Sequence, residues 1–215
     1  MRKKVLGVLV SGRGSNLQAI VDAINSDRLV AKIGVVISDN PEANALRRLG
    51  GMNIPTAVVE RKSYATKQEF EAALIAQLDL HHVELVLLAG FMRILSPQFI
   101  NRFPSRIMNI HPALLPSFPG LDAQEQALIY GVKVSGATVH FVDEGMDSGP
   151  IILQEAVPVE DDDTVATLSE RILHLEHRLY VRAVRLYCEG RIQMEGRAVK
   201  ILPPRQNPKE EGERH

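Results

Sequence analysis

Two residue types at one spacing carry the most chemistry in this 215-residue chain: the amide and the imidazole of Asn109-Ile110-His111-Pro112. Residues two apart on a strand face the same way, so Asn109 and His111 project together. They stand at the carboxyl end of the apolar run Ile107–Ile110, where open α/β sheets place their ligands. An amide that donates hydrogen bonds beside an imidazole of near-neutral pKa suits acyl transfer, because a tetrahedral carbon needs oxyanion donors and proton movement. Asp147, in the turn Asp143-Glu144-Gly145-Met146-Asp147-Ser148-Gly149, supplies a carboxylate to orient His111, raise its pKa and take a proton through water. A covalent route lacks a nucleophile: Cys188 falls in a predicted helix, and no serine sits in Gly-x-Ser-x-Gly. The plainer alternative stays open here, with Asn109 and His111 as structural hydrogen-bonding residues and Asp147 serving its turn.

A second constellation, Ser11-Gly12-Arg13-Gly14-Ser15-Asn16, joins the first strand to a helix carrying Leu17, Ile20 and Val21 inward. Glycines there let the backbone fold tightly, and free N–H groups at the helix start meet a phosphate. Leu17 stands where a dinucleotide fingerprint has its third glycine, and no Gly-Lys-Ser/Thr follows, so a terminal monophosphate is the better ligand. A ligand-free strand-to-helix turn uses similar residues. Asp39 occupies the place of a ribose-binding acid, but Ser38-Asp39-Asn40-Pro41 reads more simply as a turn that caps the next helix. His81-His82 reads as a helix end, and His174 with His177 lacks the further ligands of a metal site.

These groups need a sheet to hold them. Val5–Val10 is a near-continuous branched apolar run, as in a strand buried on both faces of a parallel sheet. Similar runs at Ile33–Ile37, Ile54–Val59 and Leu85–Leu88, with helical stretches between, predict a doubly wound, mostly parallel α/β sheet with helices on both faces. Thr66-Lys67-Gln68-Glu69 is a capping box opening a helix with Phe70, Ala73, Leu74 and Leu78 as its buried stripe. Three prolines make residues 111–120 a rigid loop. Ser135–Val142 and Pro150–Val159 are extended, and a long helix over about 164–187, capped by Asp163, buries Leu168, Ile172, Leu175 and Leu179. Residues 1–202 read as one domain, and 203–215, rich in proline and charge, as a mobile tail.

Composition excludes several classes. Net charge is -1 with 45% hydrophobic and 24% charged residues, the balance of a globular protein without the cationic excess of a nucleic-acid binder. One cysteine rules out an internal disulfide framework and fits a reducing, cytoplasmic compartment. The short apolar stretch after Met1 reads as a strand rather than an export signal, and no membrane association is expected.

Four segments, Gly14-Ser15-Asn16-Leu17-Gln18-Ala19-Ile20, Leu88-Ala89-Gly90-Phe91-Met92-Arg93-Ile94-Leu95, Asn109-Ile110-His111-Pro112 and Thr138-Val139-His140-Phe141-Val142, closely resemble the phosphoribosylglycinamide formyltransferase family, in its order. The resemblance covers nearly the whole chain and implies the Rossmann-like formyltransferase fold. It implies transfer of a formyl group from 10-formyltetrahydrofolate, as cosubstrate and without a metal, to 5-phosphoribosylglycinamide in purine biosynthesis. By the same resemblance Asn109 holds the formyl oxygen, His111 is the general acid, and Asp147 positions the histidine and relays protons. Gly14, Ser15 and Asn16 would hold the phosphoribosyl substrate, with Glu176 contacting its glycinamide or ribose end; without the family, Glu176 reads as a solvated helix residue. Met92, Arg93, Ile94 and Leu95 would wrap the folate pterin together with Asn109 and the Val142–Asp147 loop, including Val142 and Asp143, while His140 supports the site by hydrogen bonding. Lys67 takes the place of a family arginine on the folate side, which keeps the cation but not the fork. A homodimer is compatible with the resemblance.

Three other functions share parts of this pattern. A formyltetrahydrofolate hydrolase resembles it at Asn109, His111 and Asp147 but uses water as acceptor, and such enzymes carry a regulatory domain ahead of the first strand. A methionyl-tRNA formyltransferase needs a further domain and a basic surface. A noncatalytic nucleotide-binding module would have no use for the Asn109, His111 and Asp147 set.

Overall fold

The structure, a computed structural model, describes residues 2–204, so most of the expected tail, from residue 205 onward, lies outside the described residues. The elements run β1 (Lys4–Val10), α1 (Ser15–Asn25), β2 (Ala31–Ser38), α2 (Asn44–Arg48), β3 (Thr56–Val58), α3 (Lys67–Leu80), β4 (Leu85–Leu88), α4 (Pro97–Arg102) and β5 (Ile107–His111). They continue through α5 (Ala123–Tyr130), β6 (Val134–Phe141), β7 (Ile151–Pro158), α6 (Val165–Cys188), β8 (Ile192–Glu195) and β9 (Ala198–Ile201). Seven strands form one sheet in the order β3-β2-β1-β4-β5-β6-β7. The first five are parallel, and β6 and β7 join antiparallel. This is the doubly wound, mostly parallel α/β arrangement of the Rossmann-like type, with its change of direction beside β1, where such sheets open a crevice at the carboxyl ends of their strands.

Unbroken apolar runs form these strands because both sheet faces are covered. Leu6, Val8 and Val10 of β1 belong to one core with α1 and α6, while Leu9 of the same strand belongs to the opposite core with Phe70, Leu74 and Leu78 of α3 and Phe99 of α4. The α3 capping box is present as the sequence predicts. Helix α6 buries Leu168, Ile172, Leu175, Leu179, Tyr180, Ala183 and Val184 along one side. Each such large apolar side chain contributes roughly 1.5–3 kcal/mol by leaving water. Tyr180 is wholly buried there, and its hydroxyl, 3.0 Å from the carbonyls of both Leu88 and Met108, ties α6 to the seam between β4 and β5.

Four local expectations are corrected. The α6 cap is Thr164, whose hydroxyl accepts from the Thr167 N–H, whereas Asp163 accepts from the Thr167 hydroxyl and holds Arg171 at 2.6 Å. Strand β3 is only Thr56–Val58, because it pairs solely with the end of β2 at the sheet edge. Asp39 does not cap a helix: α2 starts after Ala43 without a side-chain cap, and Asp39 pairs instead with Arg93. The turn itself is there, made by Ser38 and by Asn40, whose side chain accepts from the Glu42 N–H. Finally, the chain beyond α6 forms a β8–β9 hairpin that alternation over four-residue strands is too short to announce.

Candidate active site

Asn109 and His111 sit on one face at the carboxyl end of β5, and the antiparallel register sets His140 opposite Asn109 and Thr138 opposite His111. The Asn109 amide nitrogen lies 3.3 Å from His140 Nε2 and 3.3 Å from Asp147 Oδ1. Asp147 Oδ2 lies 3.3 Å from His111 Nδ1, and Asp147 Oδ1 lies 3.6 Å from His140 Nε2. The structure therefore brings Asn109, His111 and Asp147 together, with His140 as a fourth member.

Two loops complete the group. The proline loop is pinned from β6 and β7: the Thr138 hydroxyl donates to the Ala113 carbonyl and accepts from the Leu115 N–H, and the Gln154 amide donates to the Leu115 carbonyl. That loop turns the Phe118 carbonyl toward His111 Nε2 at 2.8 Å and donates the Gly120 N–H to Asp147 Oδ2 at 2.9 Å. A carbonyl only accepts, so Nε2 of His111 carries a hydrogen, and the proton that comes and goes sits on Nδ1, facing Asp147. The Asp147 loop closes at Gly149, where any Cβ would stand 1.8 Å from the Phe141 carbonyl oxygen. Asp147 itself has φ 48, a left-handed conformation costing a non-glycine residue roughly 1 kcal/mol or more, which its convergent partners hold in place.

Burial lowers the His111 pKa, against the raising effects of the Asp147 charge and the Phe118 carbonyl. The expected upward push from Asp147 is therefore present, but desolvation outweighs it. For Asp147 burial works upward, yet the hydrogen bonds from His140 and Gly120 and the charges of the two histidines win, and its pKa lies below the ordinary value. A neutral imidazole beside a carboxylate is the resting pair at neutral pH. Cys188 offers no rival chemistry, since burial pushes its thiol up to about 12.

At the start of α1, Gly14 takes φ 73 with its Cα packed against Ala45, a place no side chain could share. Asn16 turns inward and donates from its amide to Glu176 Oε2 of α6 at 2.9 Å, so two residues 160 positions apart form one buried pair. Glu176 is 7% exposed, which overturns its reading as a solvated helix residue. Burial raises its pKa to about 7, although the Asn16 amide opposes the rise. Asn16 Oδ1 is buried and has no hydrogen-bond partner among the described residues. The signal was present in the sequence: Glu176 lies eight residues after Leu168 and one turn beyond Ile172, inside the apolar stripe.

The Phe91–Leu95 segment leaves β4 beside the Ser11–Asn16 loop, with the Met92 N–H donating to the Ser11 hydroxyl at 3.0 Å. Met92 and Ile94 are 69% and 63% exposed, while Leu95 is buried in the α3 core. Arg93 pairs with Asp39 and lies over the Phe70 ring, 5.7 Å from its centroid. Val142 packs on that same core, and Asp143 Oδ1 accepts from Ser148 Oγ at 2.6 Å, bracing its own loop. Lys67 Nζ lies 3.8 Å from a Glu71 carboxylate oxygen.

Glu71 is a residue the sequence reading missed. It is buried on α3 and accepts from the Ser96 N–H at 2.8 Å and from the Ser96 hydroxyl, anchoring the end of the 91–96 segment. Its spacing with Leu74 and Leu78 places a carboxylate in an apolar stripe, the signal that would have found it. Arg197, in the β8–β9 turn, was also missed; it bonds the Ser148 carbonyl and lies 3.8 Å from Asp143, bracing the Asp147 loop from outside.

Residues 3–184 match the family described as Formyl transferase. The phosphoribosylglycinamide formyltransferase of Bacillus subtilis is 45% identical over 182 residues, which covers 85% of this chain and 93% of that one. The trifunctional purine biosynthetic protein adenosine-3 of Chironomus tentans is 46% identical over 89% of this chain, which spans 14% of that longer relative's length. Among solved structures, glycinamide ribonucleotide transformylase 1 from Symbiobacterium toebii superposes with a TM-score of 0.92 at 50% identity, covering 94% of this chain and 95% of that one.

Proposed function

The chain belongs to the formyl transferase family, and from that premise we propose that it is a phosphoribosylglycinamide formyltransferase, passing the formyl group of 10-formyltetrahydrofolate to the amine of 5-phosphoribosylglycinamide. The observation that carries this reading is the meeting of Asn109, His111 and Asp147 within hydrogen-bonding reach at the end of β5. The Asn16–Glu176 pair beside the first glycine loop supplies the second substrate's end of the same crevice.

In this mechanism the substrate amine bonds to the formyl carbon and the carbonyl electron pair moves onto oxygen. Asn109 donates to that oxygen, and His111 stabilises it as the imidazole gains a proton. Asp147 receives the proton released by the amine and passes it to Nδ1 of His111, whose depressed pKa makes the resulting imidazolium a stronger acid toward the departing folate nitrogen. The bond from carbon to that nitrogen then breaks as the nitrogen is protonated. No covalent enzyme intermediate is needed.

The exposed side chains of Met92 and Ile94 suit the faces of a flat heteroaromatic ring, and the backbone between them offers hydrogen bonds to its edges. Gly14, Ser15 and Asn16 hold the phosphoribosyl end, with Glu176 fixing the neighbouring hydroxyl or amine. Asp143 and Arg93 act by bracing the loops that face the folate, and Lys67 acts through Glu71. Among the described residues no helix is long and apolar enough to cross a membrane.

The test is formyl transfer measured with the glycinamide ribonucleotide present and absent. Deformylation of the folate only when the amine is present supports transfer. Equal formate release in both cases would refute it in favour of hydrolysis, and no folate turnover in either case would refute both.

A further inference from the structure

A cleft of about 630 Å³ opens between α1 and α6 on the side of the molecule behind the first glycine loop. Five arginines line it: Arg28 after α1, Arg48 at the end of α2, and Arg178, Arg182 and Arg185 on α6. Among the described residues Asp22 is the one carboxylate on its wall, and it already accepts from the Gln18 amide at 2.8 Å. In a chain of net charge -1 this is a local concentration of cation, not a general excess.

The protein's own groups neutralise it poorly. Arg178 reaches Glu155 outside the cleft at 2.7 Å, and Arg185 reaches Glu189 only at 3.8 Å. Arg28 and Arg48 donate to neutral oxygens, the Ser26 hydroxyl and the Arg13 carbonyl. Arg182 has no ion-pair or hydrogen-bond partner among the described residues. Arg178, Arg182 and Arg185 follow the i, i+4, i+7 spacing of one helix face, where like charges oppose the helix.

The layout defines the class of anion. From Arg178 to Arg185 the helix rises roughly 10 Å, at about 1.5 Å per residue, a span that linked phosphoryl groups cover without drawing the side chains together. Guanidinium forks match pairs of phosphate oxygens. A volume of this size takes a small molecule rather than a macromolecular surface. We propose that the α1–α6 cleft is an anion site for a chain of two or three linked phosphoryl groups, free or carried by a nucleoside, separate from the monophosphate loop. Ser15 lies on the cleft wall and also in that loop, so an occupant crowds the phosphorylated substrate. This last consequence rests on the function proposed above; the binding does not.

The test is calorimetric titration of the full chain at low salt with sodium tripolyphosphate, ATP and inorganic monophosphate. Saturable one-to-one binding of tripolyphosphate and ATP is expected, at least tenfold weaker in the Arg182→Ala/Arg185→Ala variant, with monophosphate far weaker in the wild type. Without polyphosphate the variant should transfer formyl groups at the wild-type rate; in the wild type, tripolyphosphate should raise KM for the ribonucleotide and leave kcat unchanged. Absence of saturable tripolyphosphate binding, or equal affinity in the variant, overturns the proposal. Binding of polyglutamate while tripolyphosphate stays silent also overturns it, in favour of an acidic protein segment. A wild type that binds tripolyphosphate but transfers no formyl group would strike the functional reading alone.

Discussion

Replacing Glu176 with glutamine separates what the buried carboxylate costs the fold from what it does for the substrate. Its pKa rises from 4.5 to about 7 because the folded protein shields it from water. A raised folded-state pKa means stability is fully present below about pH 4.5 and is lost as pH climbs through 7, where the folded state must carry a poorly hydrated charge. At roughly 1.4 kcal/mol per unit, the full loss is about 3 kcal/mol. The side chain introduced by Glu176→Gln would keep an oxygen for the Asn16 amide but never ionises. The variant should therefore gain on the wild type as the medium becomes alkaline, by about 2 kcal/mol between pH 5 and pH 8. Urea unfolding of both proteins across that range measures the gap, and every other titration is common to the two. A gap that stays constant, or that narrows toward pH 8, refutes the reasoning. The same variant should bind the glycinamide ribonucleotide more weakly, since a neutral amide attracts an amine or hydroxyl less than a carboxylate does.

Three further perturbations test other parts of the arrangement. Asp147→Asn removes a charge-assisted partner of His111 worth roughly 1.5–3 kcal/mol, so turnover should fall about 10- to 100-fold; near-normal turnover contradicts the assignment. In that variant burial acts on His111 with less opposition, so its pKa drops further. A depressed histidine contributes stability that is lost as pH falls below its ordinary value near 6.5, and thermal unfolding at pH 5 to 7 should show a larger acid-side loss in the variant. Glu71→Ala strips the Ser96 N–H and hydroxyl of their acceptor and should raise KM for the folate several-fold while sparing KM for the ribonucleotide; steady-state kinetics with each substrate varied in turn decides it. Tyr180→Phe removes the hydroxyl shared by the Leu88 and Met108 carbonyls and should cost about 1–3 kcal/mol in denaturant unfolding, and an unchanged midpoint would show that the bridge is dispensable.

The parallel half of the sheet was legible because continuous Val, Ile and Leu runs have one stable use, a strand covered on both faces. Asn109 and His111 were legible for a related reason: strand alternation fixes which way each points before any tertiary contact is known. Asp147 could be nominated but not placed, since a loop's path depends on contacts such as the Gly120 N–H and the close approach of Gly149 to Phe141. Glu176 and Glu71 were obscured by the habit of treating helix carboxylates as solvated; both lie in apolar stripes, and that mismatch is the readable sign. Asp39 went the other way. Its turn was foreseen, but its partner Arg93 is 54 positions distant, and local turn chemistry says nothing of such a pairing.

The antiparallel join of β6 to β5 divides the proposed catalytic group by how each member is held. Asn109, His111 and His140 are fixed by a ladder of backbone bonds whose register, if slipped by one residue, would turn every side chain to the other face. Asp147 alone hangs from a loop, held by the Gly120 N–H and by the strand side chains it meets, while Arg197 braces the neighbouring Ser148 carbonyl. The imidazoles and the amide thus behave as a template and the acid as a detachable part. Surface changes as distant as the β8–β9 hairpin can therefore shift the carboxylate, and with it one partner of the Asn109 amide, while the strand ladder keeps its register.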